Sequence, residues 1–289
     1  MRVLSIDLDY IMGPVIELYQ GLRWDDNPAI RWKMLYETSD FRESHLNIDQ
    51  SALMYCYTTF LKALKSNPTV TFGYEHDSIL YGIPEGEKVD IVNIDHHDDV
   101  FHVSGFNEYA EGLDILRMEY EAICNDNYVN EGNWGAWLFS KDQLNSFHWI
   151  RNETSRNVDR TEFTRELMGD VYKIYLRDQL NSFHWIRNET SRNVDRTEFT
   201  RELMGNKYKI YLKDQYEFKS YDFDHVFICL SPQYIPKTHW HYFTMFIIAY
   251  EQFTGKEANL ITNKKFENEF RNGAATKHNE ILYKRSNGR

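Results

Sequence analysis

Val89-Asp90-Ile91-Val92-Asn93-Ile94-Asp95-His96-His97-Asp98-Asp99 is a short apolar, β-branched run that breaks abruptly into an acidic and histidine-rich tail. A strand covered on both faces reads this way, and such strands belong to parallel sheets flanked by helices. The pattern occurs twice more: Val3-Leu4-Ser5-Ile6 runs into Asp7-Leu8-Asp9, and Thr69-Val70-Thr71-Phe72 is followed by Glu75-His76-Asp77. Ser51 to Lys65 carries apolar residues at helical spacing with Ser51 as the expected cap, and a further helix is expected from about Glu108 to Cys124. Strands near Tyr208 to Leu212 and His225 to Leu230, and a helix near His239 to Phe253, continue the alternation. Together these predict an α/β fold, three layers α/β/α around a mainly parallel sheet. Ligands in such sheets gather where strands hand over to loops at their C-terminal ends.

A chain of 289 residues, 42% hydrophobic and 16% aromatic, can bury a full core, and its length suits one large domain over 1–289 better than two small ones. The formal net charge of −11 argues against nucleic acid as a partner, since phosphates need a concentrated basic face. Cys56, Cys124 and Cys229 are odd in number and widely spaced, which suggests neither disulfides nor a thiolate metal site; each is expected to fill core volume. The longest late apolar stretch, Tyr242 to Tyr250, is too short to span a bilayer, so no membrane partner and a cytoplasmic location are expected. The oligomeric state is not legible.

Residues 142–169 recur without change at 178–205, and the similarity continues from Tyr172-Lys173-Ile174-Tyr175-Leu176 to Tyr208-Lys209-Ile210-Tyr211-Leu212. Solenoid repeats diverge and need several copies to bury a continuous face, so two near-identical units over about 142–177 and 178–213 are a tandem duplication inside one domain. One copy is surplus. The second is the better candidate for the sheet, because its Tyr208 to Leu212 strand leads directly into the unduplicated Tyr216-Glu217-Phe218.

The three tails supply Asp7, Asp9, His76, Asp95, His97 and Asp99, all at predicted strand ends. In extended chain, side chains alternate, which would aim Asp7 with Asp9, and Asp95 with His97 and Asp99. Four carboxylates brought together would repel and lose hydration at large cost unless positive charge is concentrated among them. Two divalent cations would supply it. Carboxylate oxygens and imidazoles without thiolates suit Mn²⁺ or a similar hard to borderline ion. A pair of such ions lowers the pKa of a water and aims it at an electrophilic carbon, so hydrolysis is the natural reaction.

These strings resemble the arginase and ureohydrolase family, and more closely its peptide-arginase-like branch. Gly73-Tyr74-Glu75-His76-Asp77-Ser78 is similar to the family's Gly-Gly-Asp-His-Ser motif, Asp95-His96-His97-Asp98-Asp99 to Asp-x-His-x-Asp, and Ser5-Ile6-Asp7-Leu8-Asp9 to Ser-x-Asp-x-Asp. The last stands first in this chain, an order unlike that of the classical members and expected of the peptide-modifying branch. Cys229-Leu230-Ser231-Pro232-Gln233-Tyr234-Ile235-Pro236 also looks like that branch. The resemblance implies an arginase/deacetylase-like fold, His76, Asp95, Asp99 and Asp7 on one Mn²⁺, and Asp95, His97, Asp7 and Asp9 on the other. It further implies Asp99 as catalytic base, and arginine in a ribosomally made precursor peptide, or a small guanidino compound, as substrate. Ornithine and urea would be the products.

Other residues are less specific. Glu131 is the candidate carboxylate for a guanidinium, which favours bidentate acids, and Asn133 and Trp134 are candidates for lining its pocket. An ordinary buried tryptophan fits Trp134 as well. His102 is the candidate proton shuttle, against a plain loop histidine. His239-Trp240-His241 reads as a helix start. Deacetylases that share the arginase-like fold need only three ligands around one zinc, and the extra carboxylates here disfavour them; three other rivals are weighed. Asn93-Ile94-Asp95-His96-His97 is also the central string of Asp-His-His phosphoesterases, although Leu4-Ser5-Ile6-Asp7 lacks their preceding histidine. A haloacid-dehalogenase phosphatase would need a small or hydroxyl residue at Tyr10. A metal-stabilised binding protein without catalysis is the third.

Overall fold

In a computed structural model the chain is described over residues 1–12, 28–37, 47–101, 113–126, 128–152, 200–201 and 203–261. The candidate His102, most of the duplicated segment, and the expected helix start at Glu108 lie outside these residues.

Seven strands, β1 (Arg2–Asp7), β2 (Thr69–Gly73), β3 (Val89–Asp95), β4 (Leu144–Arg151), β5 (Tyr208–Leu212), β6 (His225–Cys229) and β7 (Asn259–Ile261), form one sheet in the order β5-β4-β3-β1-β6-β2-β7. Every pairing is parallel. The predicted α/β class with helices on both faces is therefore what the chain adopts. Alternation along each strand sorts the core: Leu4, Ile6, Val92, Ile94, Val226 and Ile228 face one side, Val3, Ile91, Phe147 and Phe227 the other. The first side is covered by α1 (Pro28–Tyr36), α2 (Gln50–Ala63) and α5 (His241–Thr254); the second by α3 (Leu113–Asp126) and α4 (Trp134–Ser140). Phe72 anchors the first side, with ring centroids of Phe60, Phe243 and Tyr250 5.8 to 6.4 Å away.

Two local expectations are corrected. Ser51 does not cap α2; Asp49 does, its carboxylate accepting from the Ser51 and Ala52 N–H groups at 2.8 and 3.0 Å, because the chain turns into the helix two residues earlier. Cys56 and Cys229 are buried as expected, but Cys124 is exposed near the end of α3.

The sheet draws on both copies of the duplication. β4 comes from the first, pairing with β3 from Val89↔Leu144 to Asp95↔Arg151, whereas β5 comes from the second and pairs with β4. The preference for the second copy thus holds for β5 and not for β4. Removing residues 153–188 would retain every described residue, leave a single copy, and shorten the connection from β4 to residue 200 to a quarter of its length. For two flexible connections that differ fourfold in length, closure entropy alone favours the shorter by about 1 kcal/mol. Denaturant unfolding of the two proteins should show it, and a loss of stability would mean that the removed residues contribute to the core.

At the opposite end of the sheet from the acidic tails, the buried His225 ring lies so close to Gly82 that a Cβ there would sit 2.0 Å from Cε1. Its Nε2 hydrogen-bonds Thr71 Oγ1 at 2.7 Å. Burial pushes the His225 pKa down from 6.5 to about 4. The unfolded chain takes up that proton as pH falls through 6.5, the folded one only near 4, so full stability above 6.5 is lost across that window. The loss is about 3 kcal/mol. His225→Asn should flatten this part of the pH–stability curve relative to the parent; parallel curves would refute the assignment.

Candidate metal centre

β1, β3, β6 and β2 are the four central strands, and the cluster forms where their C-terminal ends meet. β1 ends at Asp7, β3 at Asp95, and the chain after β2 turns at once into a 3-10 segment beginning with His76. The turns are made by the acids themselves. Asp7 Oδ1 accepts from the Asp9 N–H at 3.0 Å, and Asp95 Oδ1 from the His97 N–H at 2.8 Å. Asp9 consequently lies in the 3-10 turn Leu8–Ile11 rather than on the strand, so turn geometry and not strand alternation brings it back toward Asp7. Asp99 is carried by a left-handed residue, φ 53°, as is Ser231, φ 48°, after β6. Two of the few non-glycine residues in that region thus stand at one site, where surrounding contacts must hold the strained backbone.

The outcome is two groups of potential ligands: Asp7, His76, Asp95 and Asp99, and Asp9, Asp95 and His97. Within each, the ligand atoms all lie within 4.8 Å of one another. Asp95 belongs to both. Asp7 belongs only to the first, so among the described residues a single carboxylate, not two, is common to the groups. His76 Nδ1 lies 3.1 Å from Asp7 Oδ2, 3.1 Å from Asp95 Oδ2 and 2.5 Å from Asp99 Oδ2, yet makes no aligned hydrogen bond. Its Nε2 is 2.6 Å from Ser5 Oγ. An imidazole anchored at Nε2 by a hydroxyl, with Nδ1 turned toward three converging carboxylates, has the arrangement of a metal ligand. The donor set therefore fits a divalent cation.

Electrostatics point the same way. Burial, together with the charges of Asp7 and Asp95, pushes the Asp9 carboxyl up to about 7. Burial and Asp99 raise Asp95 to about 7, and burial raises Asp99 against the pull of His76. Asp7 feels burial too, but the contacts from His76, Ser231 and the Asp9 N–H outweigh it and hold the carboxyl below its ordinary value. His76 is also buried, and its three carboxylate neighbours, led by Asp99, overcome burial and raise it well above 6.5. So many acids in so little water are costly unless cationic charge joins them.

A supporting layer fixes the ligands. Ser231 Oγ donates to Asp7 Oδ2, Asn93 Nδ2 to Asp95 Oδ2 at 3.1 Å, and Trp134 Nε1 to Asp99 Oδ2 at 3.0 Å. His97 Nδ1 is 2.7 Å from Asp9 Oδ2. Trp134 is fully buried, its ring 5.0 Å from that of His76 and 5.4 Å from Phe147, so it stands behind Asp99 and offers no open face for stacking. Asn133 is fully buried as well and holds the turn before α4 by accepting from the Asn130 N–H at 2.8 Å. Glu131 is half-buried and accepts from Gln233 Nε2 at 2.8 Å. The sequence reading missed the supporting roles of Ser5, Asn93 and Ser231. Their signal was position, Ser5 and Asn93 two residues before a strand-end aspartate and Ser231 two residues past the end of β6, with Ser5 and Ser231 also inside the family-like strings.

No helix among the described residues is long and apolar enough to cross a membrane. Neither a protein-family model, nor a curated protein, nor a solved structure matches this chain.

Proposed function

We propose that this protein is a binuclear Mn²⁺-dependent hydrolase that cleaves a guanidino group, with arginine inside a peptide as the favoured substrate. The single observation that carries the reading is Asp95, whose carboxylate is shared by two adjoining ligand groups at the C-terminal ends of the central strands. A shared acid is what holds a pair of cations close enough to act on one substrate. When bound, two such ions would acidify a water and polarise the carbon it attacks.

The chain's own residues do the remainder. Ser5, Asn93, Ser231 and Trp134 keep His76, Asp95, Asp7 and Asp99 oriented before substrate arrives, which saves reorganisation during the reaction. Asp99, held by the Trp134 N–H, accepts a proton from the attacking water. Glu131 pairs with the guanidinium and sets the angle of its plane. The water oxygen bonds to the guanidino carbon, the bond from that carbon to the side-chain nitrogen breaks, the nitrogen leaves as the ornithine amine with the proton that Asp99 took up, and the oxygen's remaining proton passes to solvent. Urea is the second product.

The test is urea release from an arginine-containing peptide, and from free arginine, by protein loaded with Mn²⁺. Urea that appears with Mn²⁺ and disappears on chelation supports the reading. Phosphate release from a phosphodiester without urea would replace it with the phosphoesterase reading, and bound metal with neither product would mean a binding protein.

A further inference from the structure

We infer that Gln233 is a positioning residue that holds Glu131 at the mouth of the metal centre and makes the site selective for a planar cation. This rests on the guanidino reading above for the substrate class. His97 is the most exposed of the six potential ligands, at 18% of its side chain, so solvent comes nearest to the centre on its side. The ring of Tyr234 lies 4.7 Å from that of His97 on that side. Gln233, the preceding residue, is 4% exposed and donates its Nε2–H to Glu131 Oε2 at 2.8 Å.

That hydrogen bond ties together two segments that each also grip the metal centre. Glu131 lies in the turn that leads into Trp134, which holds Asp99, and Gln233 follows Ser231, which holds Asp7. The Gln233 segment is itself rigid: Tyr234 N and Ile235 N both donate to Ser231 O, and Trp32 Nε1 donates to Pro232 O at 2.8 Å. A carboxylate held by a fixed amide donor keeps its charge and its plane, and such preorganisation is what bidentate recognition of a guanidinium needs. A neutral group of the same shape can still donate to that carboxylate but brings no positive charge, so it lacks the ion-pair attraction.

The test compares Nα-acetyl-arginine amide with Nα-acetyl-citrulline amide, cation against neutral isostere, by calorimetric titration into Mn²⁺-loaded full-length protein. The parent should bind the arginine compound at least tenfold more tightly. Glu131→Gln should bring the two affinities together, and Gln233→Leu should lower the preference severalfold while citrulline affinity and Mn²⁺ per chain stay unchanged. A merely structural role for Gln233 would weaken both compounds alike, and that result, an unaltered preference, or no preference in the parent would overturn the inference. Urea release is scored separately: its absence with the preference intact sinks the hydrolysis reading and leaves the recognition role standing.

Discussion

Asp95→Ala will lose bound divalent metal from both ligand groups at once. Asp95 is fully buried, hydrogen-bonded to Asn93 and to the His97 N–H, and is the one acid common to the two groups. Removing an ordinary ligand would weaken one position; removing this one withdraws an oxygen from each and leaves Asp7, Asp9 and Asp99 facing one another. Protein purified with Mn²⁺ should fall from near two ions per chain to fewer than one. Asp95→Asn retains the volume and guards against failure to fold, and the same loss is expected because the amide carries no charge. The effect should also be visible as heat stability. At an ion concentration about 100-fold above its Kd, Mn²⁺ adds about 2.7 kcal/mol to the parent, roughly 4 to 5 °C in Tm for a chain of this size. Neither variant should respond. Unchanged metal content in both would remove the site assignment.

Trp134→Ala is expected to cost about 3–5 kcal/mol, because it empties a fully enclosed space between His76 and Phe147. Trp134→Phe separates packing from hydrogen bonding. It refills most of that space but takes away the N–H that holds Asp99 Oδ2. Losing such an outer partner of a ligand costs about 10–100-fold in metal affinity. The expected pair of results is a large drop in Tm for the alanine variant, and for the phenylalanine variant a small drop with weaker Mn²⁺ binding. Equal Mn²⁺ affinity in the phenylalanine variant and the parent would show that the indole N–H does nothing for the site.

How far local sequence carries is clear at the strands. Val3 to Asp7, Thr69 to Phe72, Val89 to Ile94 and Tyr208 to Leu212 announce themselves by apolar β-branched runs, and the strands found extend them by a residue or coincide with them. β4 was hidden in Leu144-Asn145-Ser146-Phe147-His148-Trp149-Ile150-Arg151, where every second or third residue is polar. It is a strand because β3 and β5 pair with it on either side. β7 has three residues and α4 seven, too few for a period to show.

The ligand types were legible for a similar reason: aspartates and histidines that end an apolar run stand out against it. Their company was not. His76 meets Asp7 and Asp95 because β6, late in the chain, inserts between β1 and β2 while β3 takes the other side of β1. No local propensity encodes that order; it is chosen by how the two apolar faces close over the sheet, a sum over many distant contacts. The sequence by itself determined a parallel α/β protein with acids and imidazoles at its strand ends. Only the tertiary structure decided that Asp95, alone among the described residues, joins both groups, that Trp134 braces Asp99 from within the core, and that Gln233 reaches Glu131. Each of these depends on side chains far apart in the chain arriving within hydrogen-bond reach.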